Sequence, residues 1–225
     1  MCGRLNVTDD PFLKGLLDVI GVSTGEVLTS PDVAPGAKLS IVRRTGTQPV
    51  VNDASWWLLL DKQTLKPNYR YASFNSRYDK LNTPQSISFT PYRQSRCIVP
   101  ASGFVEGIGD KKTYFQIEPV DSAIAFGGLY KEWLNESTGE LIYSASIITL
   151  PPHPKLKHIH PKSTPLMLSY ADHQTIDMWL DSGFTQVEAF QDLLQPILHT
   201  DLRVTQIDKP SKRNIIAKSF VIAAD

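Results

Sequence analysis

The sequence predicts an α+β fold, organised as a single β-rich domain with a few helices. Eight short apolar runs alternate with turn-forming residues, a pattern typical of strands, whereas only four segments have helical spacing. No internal repeat and no Gly/Ser-rich linker divides the 225 residues. Many strands and few helices in one uninterrupted chain therefore indicate one domain over residues 1–225.

The predicted strands are rich in apolar and β-branched residues, and turn-forming residues bound each of them. They are Leu5–Thr8, Leu39–Val42, Val50–Asn52, Trp56–Leu60, Cys97–Pro100, Thr113–Ile117, Ala123–Leu129 and Ile142–Thr149.

Four segments carry apolar residues at the spacing of an amphipathic helix. The first, Phe12–Ile20, follows Asp9–Pro11, which supplies a capping residue and a proline early in the helix. The other three are Ser86–Arg93, which Pro91 interrupts, Asp172–Leu180, which ends before Gly183, and Val187–Leu194, which Pro196 ends.

Composition excludes several classes of protein. With 41% hydrophobic residues the chain can bury a core without disulfides, and no apolar run approaches the roughly 18 residues of a membrane span. The first residues lack the basic and then apolar pattern of a secretory signal. Cys2 and Cys97 are too few for a disulfide scaffold. We therefore expect a cytoplasmic protein, associated with the nucleoid if the source is bacterial.

Charge is balanced overall and uneven along the chain. The 23 basic and 23 acidic residues give zero net charge, which argues mildly against a nucleic-acid binder. However, residues 66–115 hold eight Lys or Arg and three acids, whereas residues 166–202 hold six acids and no Lys or Arg. This segregation predicts either a basic face opposite an acidic one or an unevenly charged solvated surface.

Cys2 is the most informative single position. Removal of Met1 would expose an α-amine beside a thiol, and both groups are partly in their reactive forms near neutral pH. A 1,2-aminothiol condenses with an aldehyde to an imine, on which the thiol closes to give a thiazolidine. Such a cysteine can alternatively act as an acyl-transfer nucleophile with its own amine as the base, or have no special role.

His160 closes a segment that also contains His153 and His158. Three histidines in eight residues suggest a metal site, but no cysteine or second histidine cluster completes a ligand set, so we expect no metal. His158 and His160 would share a face if the segment were a strand. A single histidine acting as an acid or base is the simpler functional reading, and three ordinary loop residues are the alternative.

Two further positions have side chains suited to a polar site. Glu106 ends an apolar strand, where partial burial raises the pKa of a carboxyl group toward neutrality. Asn75 and Arg77 share one face if their segment is extended, and an amide beside a guanidinium suits an anionic ligand. Trp56 and Trp57 are more typical of a core than of a stacking surface.

These features together resemble the SOS response-associated peptidase (SRAP) family, whose members shield abasic sites in single-stranded DNA through a covalent crosslink. The ordered blocks that carry the resemblance are Met1–Arg4, Val33–Gly36, Trp56, Phe74–Arg77, Cys97–Ala101, Gly103–Glu106, Ile159–His160 and Pro165–Leu168. Each block is weak alone, but the ordered set with cysteine at position two is specific.

The resemblance implies a fold of curved sheets forming a pseudo-barrel with a few peripheral helices, and it implies roles for matching residues. Cys2 corresponds to the crosslinking residue, Asn75 to a positioning residue, and Glu106 and His160 to an acid/base pair. A cysteine peptidase activity that removes Met1, or a lyase-like activity, also follows from the family. We expect no cofactor, single-stranded DNA with abasic sites as the partner, no membrane association and a monomer.

Basic residues are expected to grip phosphates in a single-strand groove. The family pattern supplies Arg4 and Arg77, and further candidates are some of Arg43, Arg44, Lys111 and Lys112.

The chain departs from the family pattern in ways that touch DNA contacts. Asp32 stands where asparagine is usual, Gly107 where tryptophan is frequent, and Asp79 where glutamate is common. Two other functions stay open: an N-terminal-nucleophile glutamine amidotransferase-like hydrolase, for which no Asn-Gly-Glu segment is present, and a non-catalytic DNA-binding protein of the same fold.

Overall fold

A computed structural model describes residues 3–110 and 112–225, and this part of the chain forms strands in two sheets with three α-helices. The strands are β1 (Leu5–Val7), β2 (Ser30–Val33), β3 (Lys38–Thr45), β4 (Gln48–Ser55), β5 (Asn75–Arg77), β6 (Arg96–Ala101), β7 (Gly103–Gly107), β8 (Tyr114–Pro119), β9 (Ile124–Leu134), β10 (Leu141–Leu150), β11 (Thr164–Pro165), β12 (Met167–Leu168), β13 (Leu202–Ile207) and β14 (Phe220–Ile222). The helices are α1 (Pro11–Ile20), α2 (Phe89–Gln94) and α3 (His173–Leu180).

One sheet closes into a barrel. Its strands follow the order β10-β4-β3-β6-β9, and β9 pairs again with β10 from Leu134 opposite Leu141 to Gly128 opposite Ile147. Every pairing around the barrel is antiparallel except β10 with β4. The short strands β5, β11 and β12 attach to β10 or β9. The predicted α+β class and the pseudo-barrel implied by the resemblance are both confirmed.

The second sheet has the strand order β14-β13-β8-β7-β1-β2. Strand β7 pairs with β1 on one side and with β8 on the other, so it is a central strand. The chain passes directly from β6 of the barrel to β7 through Ser102. This short connection joins the two sheets at the start of the strand that carries the candidate carboxylate Glu106.

Side chains of the barrel strands alternate between two hydrophobic cores, as the period of a strand requires. In β6, Cys97 and Val99 pack in a cluster with Phe104 of the second sheet, whereas Ile98 packs in the cluster that contains the buried faces of the helices. The second sheet and the helical layer therefore cover different faces of the barrel wall.

Helix α1 has the local signals that its sequence predicts. The Asp10 side chain accepts from the backbone N–H groups of Phe12 and Leu13, each at 2.9 Å, and Pro11 occupies the first helical position. Gly21 ends the helix in the left-handed region with φ of 85°. The four buried residues are Leu13, Leu16, Leu17 and Ile20.

Arg96 joins α2 and α3 to the barrel. Its guanidinium is buried and donates to backbone carbonyl oxygens on both sides, including Tyr92 at 2.8 Å, Trp179 at 2.8 Å and Phe184 at 2.8 Å. The Tyr92 and Trp179 acceptors belong to the carboxyl ends of the two helices, where carbonyl groups lack partners within the helix, and Phe184 lies in the segment after α3. One side chain of β6 thus satisfies the ends of two helices that lie far apart in sequence.

Two sequence predictions are wrong in detail. Trp56–Leu60 is not a strand: it is apolar because it is mostly buried, and its backbone bonds run to separate segments, with Trp56 N–H donating to Ala37 at 2.8 Å and Leu58 N–H donating to Ser73 at 3.0 Å. Val187–Leu194 forms two short 3-10 helices, Val187–Phe190 and Asp192–Leu194, instead of one α-helix.

Helix α2 retains Pro91 in its first turn, where no intrahelical N–H bond is lost. Within the described part of the chain, no helix is both long and apolar enough to cross a bilayer.

Candidate active site

Glu106 and His160 meet at the second sheet. Glu106 lies near the end of the central strand β7 and is 5% exposed. His160 follows the 3-10 helix Pro154–Leu156, and its backbone N–H donates to the Leu156 carbonyl at 2.9 Å. His160 Nδ1 lies 3.4 Å from Glu106 Oε2. The structure thus brings together two side chains that are 54 positions apart in the sequence (160 minus 106).

The contact of His160 with Gly107 defines the ring's tautomer. Nδ1 lies 3.0 Å from the Gly107 carbonyl oxygen, which can only accept, so Nδ1 carries a proton. In the neutral ring Nε2 then carries the lone pair and is the basic nitrogen.

Burial shifts the pKa of both groups toward their neutral forms. It raises the pKa of Glu106 to about 7, from an ordinary value of 4.5. Burial also lowers the pKa of His160, partly opposed by the hydrogen bond to the Gly107 carbonyl. Near neutral pH the pair therefore holds a carboxyl group close to half protonation beside an uncharged imidazole, which suits proton transfer in both directions.

Gly107 has little room for the tryptophan that is frequent at this position in the family pattern. A Cβ atom there would lie 3.0 Å from the Thr113 carbonyl oxygen and 3.0 Å from Cδ1 of Tyr114. The Tyr114 ring occupies this space instead, so the departure is local and leaves the Gly107 carbonyl in contact with His160.

Asn75 begins β5, which runs parallel to β10 with Asn75 opposite Ile147. Its side chain is largely buried, whereas the side chain of Arg77, two residues on, is 68% exposed. The segment is extended, as the predicted shared face requires, but the two residues differ in their access to solvent. Arg77 pairs with Asp79 at 2.7 Å, and this bond raises the pKa of the guanidinium.

Arg4 lies beside the Glu106 strand. Its carbonyl oxygen accepts from the Val105 N–H at 2.9 Å, and its guanidinium forms an ion pair with Asp32. Asp32 also lies 3.4 Å from Arg213, a residue that sequence analysis did not identify. The aspartate at the position where the family has asparagine therefore partly neutralises two arginines.

Arg43 and Arg44 occupy a different part of the molecule from Arg4 and Arg77. Both lie on β3 and line a cleft that includes neither Arg4 nor Arg77. The single-strand groove predicted from the sequence stays a prediction. Lys112 is exposed next to the Asp110 turn, and Lys111 lies outside the described residues.

The structure also shows a row of aromatic rings that leads to Asn75, which sequence analysis did not identify. The ring of Trp57 lies 5.0 Å from Tyr69 and 5.5 Å from Phe74, which directly precedes Asn75. Tyr69 is 72% exposed, and Tyr71 is also exposed, with the Arg70 guanidinium over its ring. The interleaved Tyr-Arg-Tyr sequence is the signal from which this surface could have been found.

The three histidines of the 153–160 segment have separate environments. His153 is buried against Asp225 at 2.9 Å, whereas the ring of His158 lies 6.2 Å from Phe220. The segment that holds His158 and His160 forms turns instead of the strand considered from the sequence. Among residues 3–110 and 112–225, no three His, Cys, Asp or Glu side chains are grouped as metal ligands.

Of the two cysteines, Cys97 lies among the described residues and Cys2 does not. Cys97 is fully buried in the barrel wall, and burial raises the pKa of its thiol strongly, so it is not a reactive thiolate. Cys2, the predicted nucleophile, lies outside the described residues.

The chain is similar to a named bacterial protein and to two solved structures over nearly its whole length. The abasic site processing protein YoqW of Bacillus subtilis is 28% identical over 214 residues, covering 92% of both chains. A crystal structure of a Bacteroides thetaiotaomicron protein is 21% identical with a TM-score of 0.67, covering 92% of each chain. A Bordetella bronchiseptica structure is 15% identical with a TM-score of 0.69, covering 92% of this chain and all of the other.

The two solved structures establish that the barrel and its flanking sheet recur as one fold. The sequence model described as SOS response associated peptidase (SRAP) matches residues 1–212, which include Asn75, Glu106 and His160. This chain therefore belongs to the SRAP family.

Proposed function

We propose that this protein captures abasic sites in single-stranded DNA by forming a thiazolidine link to Cys2 after Met1 has been removed. The observation that carries the proposal is the buried pair of Glu106 and His160, whose oxygen and nitrogen lie 3.4 Å apart. The name of YoqW, an abasic site processing protein related over nearly the whole chain, agrees with it.

The start of the described chain supports a role for the N-terminal residues at this pair. The Arg4 carbonyl is bonded to Val105, which directly precedes Glu106.

The proposed chemistry conserves atoms and needs no cofactor. The Cys2 amine adds to the aldehyde of the ring-opened sugar, and the carbinolamine loses one water molecule to give an imine. The thiolate then forms a C–S bond to the imine carbon, and the nitrogen takes up a proton to complete the ring. The overall reaction joins an aldehyde and an aminothiol with release of water.

Glu106 and His160 supply the proton transfers of this sequence. Protonated Glu106 donates to the departing hydroxyl group of the carbinolamine, and Nε2 of His160 accepts a proton from the attacking amine or thiol. Asn75 orients the opened sugar through its amide. Burial keeps both acid/base groups near the protonation states that these transfers require.

Exposed side chains near Asn75 support recognition of a single strand. Tyr69 and Tyr71 offer faces on which unpaired bases stack, and Arg77 offers donors to phosphate. Arg4 provides a second cation close to Glu106. Stacking together with phosphate contacts is the usual basis of binding to single strands without sequence preference.

The test is incubation with a single-stranded oligonucleotide that contains one abasic site, followed by a denaturing gel. We expect the protein lacking Met1, verified by intact mass, to give a heat-stable adduct that the unmodified oligonucleotide does not give. In Cys2→Ser the amine remains but the hydroxyl is a poor nucleophile, so only a labile imine should form, which borohydride traps.

Cys97→Ser is the matched control because it removes the other, buried thiol and leaves the N-terminal residue intact. It should crosslink like the parent protein. Equal yields of heat-stable adduct from Cys2→Ser and the parent would overturn thiazolidine formation and favour a lyase-type amine mechanism. Absence of any adduct from the correctly processed parent would overturn capture itself.

A further inference from the structure

A second cleft, of about 850 Å³, opens at the end of the barrel where β3 turns into β4. Its walls include Thr45 and Gly46 of that turn, the end of α2 and residues 130–133 of β9. The acid/base pair Glu106 and His160 does not line it. This cleft is therefore separate from the candidate active site.

Arg43 is held rigidly in the cleft by neutral groups. Its Nε donates to Asn52 Oδ1 at 2.7 Å, Nη1 to Thr45 Oγ1 at 2.8 Å, and Nη2 to the Tyr143 hydroxyl at 2.9 Å. The guanidinium carbon also lies 4.9 Å from the centre of the Tyr143 ring. Three of the five N–H groups are used, and two remain for a ligand.

The charge of Arg43 is not neutralised locally. Within the described part of the chain, none of its nitrogens has a carboxylate oxygen within 4.0 Å, whereas Arg4, Arg44 and Arg77 each have one. An arginine fixed by uncharged acceptors and stacked on an aromatic ring is preorganised to receive an anion.

Other residues make the cleft basic as a whole. Lys62 and Lys131 line it without an ion pair to any described carboxylate, and Arg44 shares its charge with Asp177. Arg44 also has a buried Nε with no acceptor among the described residues. Four cations against Glu132 in the lining and Asp177 at its edge leave an excess of positive charge.

We propose that this cleft binds the phosphodiester backbone of the nucleic-acid strand that flanks the captured site. The inference rests on the proposed function for its biological context, but the binding itself does not require Cys2. Phosphate groups match the rigid donors of Arg43, and the partly exposed ring of Trp133 in the lining is suited to contact with sugars and bases.

The spacing of the two sites fits one bound strand. Tyr143, which accepts from Arg43, precedes Ile147, the partner of Asn75, by four residues of β10. Four residues of strand cover about 14 Å, the length of about four nucleotides at duplex spacing. Four nucleotides centred on Asn75 extend only about 7 Å to either side and fall short of the cleft, whereas sixteen nucleotides reach it.

The test compares unmodified oligothymidines of about 4 and 16 nucleotides, the range of single-strand site sizes, by fluorescence anisotropy at several salt concentrations. Lys131→Gln should bind the long oligonucleotide roughly threefold to tenfold more weakly, with a salt slope smaller by about 0.7. Lys14→Gln, which removes an exposed cation of α1 outside the cleft, should match the parent.

Arg43→Gln should weaken long-oligonucleotide binding further, and thermal unfolding will verify that the variant folds. Neither cleft substitution should change crosslinking to a short oligonucleotide whose single abasic site is central. Parent-like affinity and salt slope for the long oligonucleotide in both Lys131→Gln and Arg43→Gln would overturn the proposal. Failure of the parent to crosslink would overturn abasic-site capture alone, because the cleft is tested with unmodified DNA.

Discussion

His160 Nδ1 lies 3.4 Å from Glu106 Oε2, and both side chains are almost completely buried. Because burial disfavours the charged form of each group, the pair is most stable as a neutral acid beside a neutral base. The Gly107 carbonyl fixes the proton on Nδ1, so His160 presents Nε2 as its basic atom. Protons bound by such neighbours belong to the pair as a unit, and mutations at either position should change its titration.

Replacement of Glu106 by glutamine should change how stability depends on pH. Since burial raises the pKa of Glu106 to about 7 from 4.5, the folded protein binds more protons than the unfolded chain between these values. The stabilising contribution of the protonated group is thus present below about pH 4.5 and lost by about pH 7. Glu106→Gln lacks this loss, so its stability relative to the parent should rise by about 2–3 kcal/mol between pH 5 and 8.

Urea unfolding at the two pH values measures this difference. Glu118→Gln, a substitution at a less buried glutamate of β8, is the control and should show a much smaller pH-dependent change. A constant offset between Glu106→Gln and the parent across this range would contradict the raised pKa.

The acid role of Glu106 predicts a particular pH profile for capture. Single-turnover rates of the parent divided by those of Glu106→Gln should fall as pH rises past about 7, since only protonated Glu106 donates. The ratio cancels the titrations of the Cys2 amine and thiol, which both proteins share. Below pH 7 the ratio should be roughly 10²–10⁴, the usual contribution of a general acid. A ratio independent of pH would assign Glu106 a positioning role.

Asp79 should limit the affinity of the candidate site for DNA. Its carboxylate lies 2.7 Å from Arg77, so phosphate must compete with an internal partner. Asp79→Asn should strengthen single-strand binding by up to about fivefold, the range set by the energy of an exposed ion pair. In an Arg77→Gln background the same substitution should give a much smaller gain. Anisotropy titrations of the four proteins form the double-mutant cycle, and equal gains in both backgrounds would exclude Arg77 as the phosphate contact.

Arg96→Met should destabilise the fold strongly. The guanidinium is buried and donates to carbonyl oxygens of α2 and α3 residues and of the segment after α3. Methionine fills a similar volume but leaves these acceptors without donors, which should cost about 3 kcal/mol or more. Lys14→Met, on the exposed face of α1, is the control and should change the urea midpoint little. A midpoint shift of Arg96→Met no larger than that of Lys14→Met would contradict this role.

Features with local signals were predictable from the sequence, and those set by tertiary contacts were not. Helix α1 was found because Asp10 and Pro11 mark its start and apolar residues follow at helical spacing. Trp56–Leu60 was mistaken for a strand because an apolar run reports burial without specifying which backbone groups pair. The contact of Arg213 with Asp32 spans 181 residues, and no local pattern reports it.

The candidate site likewise combines features that the sequence predicts with features that only the tertiary fold determines. Glu106 and His160 were identified from their chemistry and from the family resemblance. The burial of the Glu106 side chain, however, depends on β7 lying between β1 and β8. Strand β7 itself was not predicted as a separate element. Charge clustering suggested a basic surface, yet only the fold separates Arg43 from Arg77, since β3 and β5 belong to different parts of the barrel sheet.

Closure of the barrel by β9 and β10 has a consequence for the protein during its synthesis. Strands β3, β4 and β6 leave the ribosome first, but β6 needs β9 as a partner and β4 needs β10. Until about residue 150 has emerged, the nascent chain therefore carries unpaired sheet edges, which are sites for association with other chains. We expect translation through this region to be the interval in which the newborn protein depends most on chaperones.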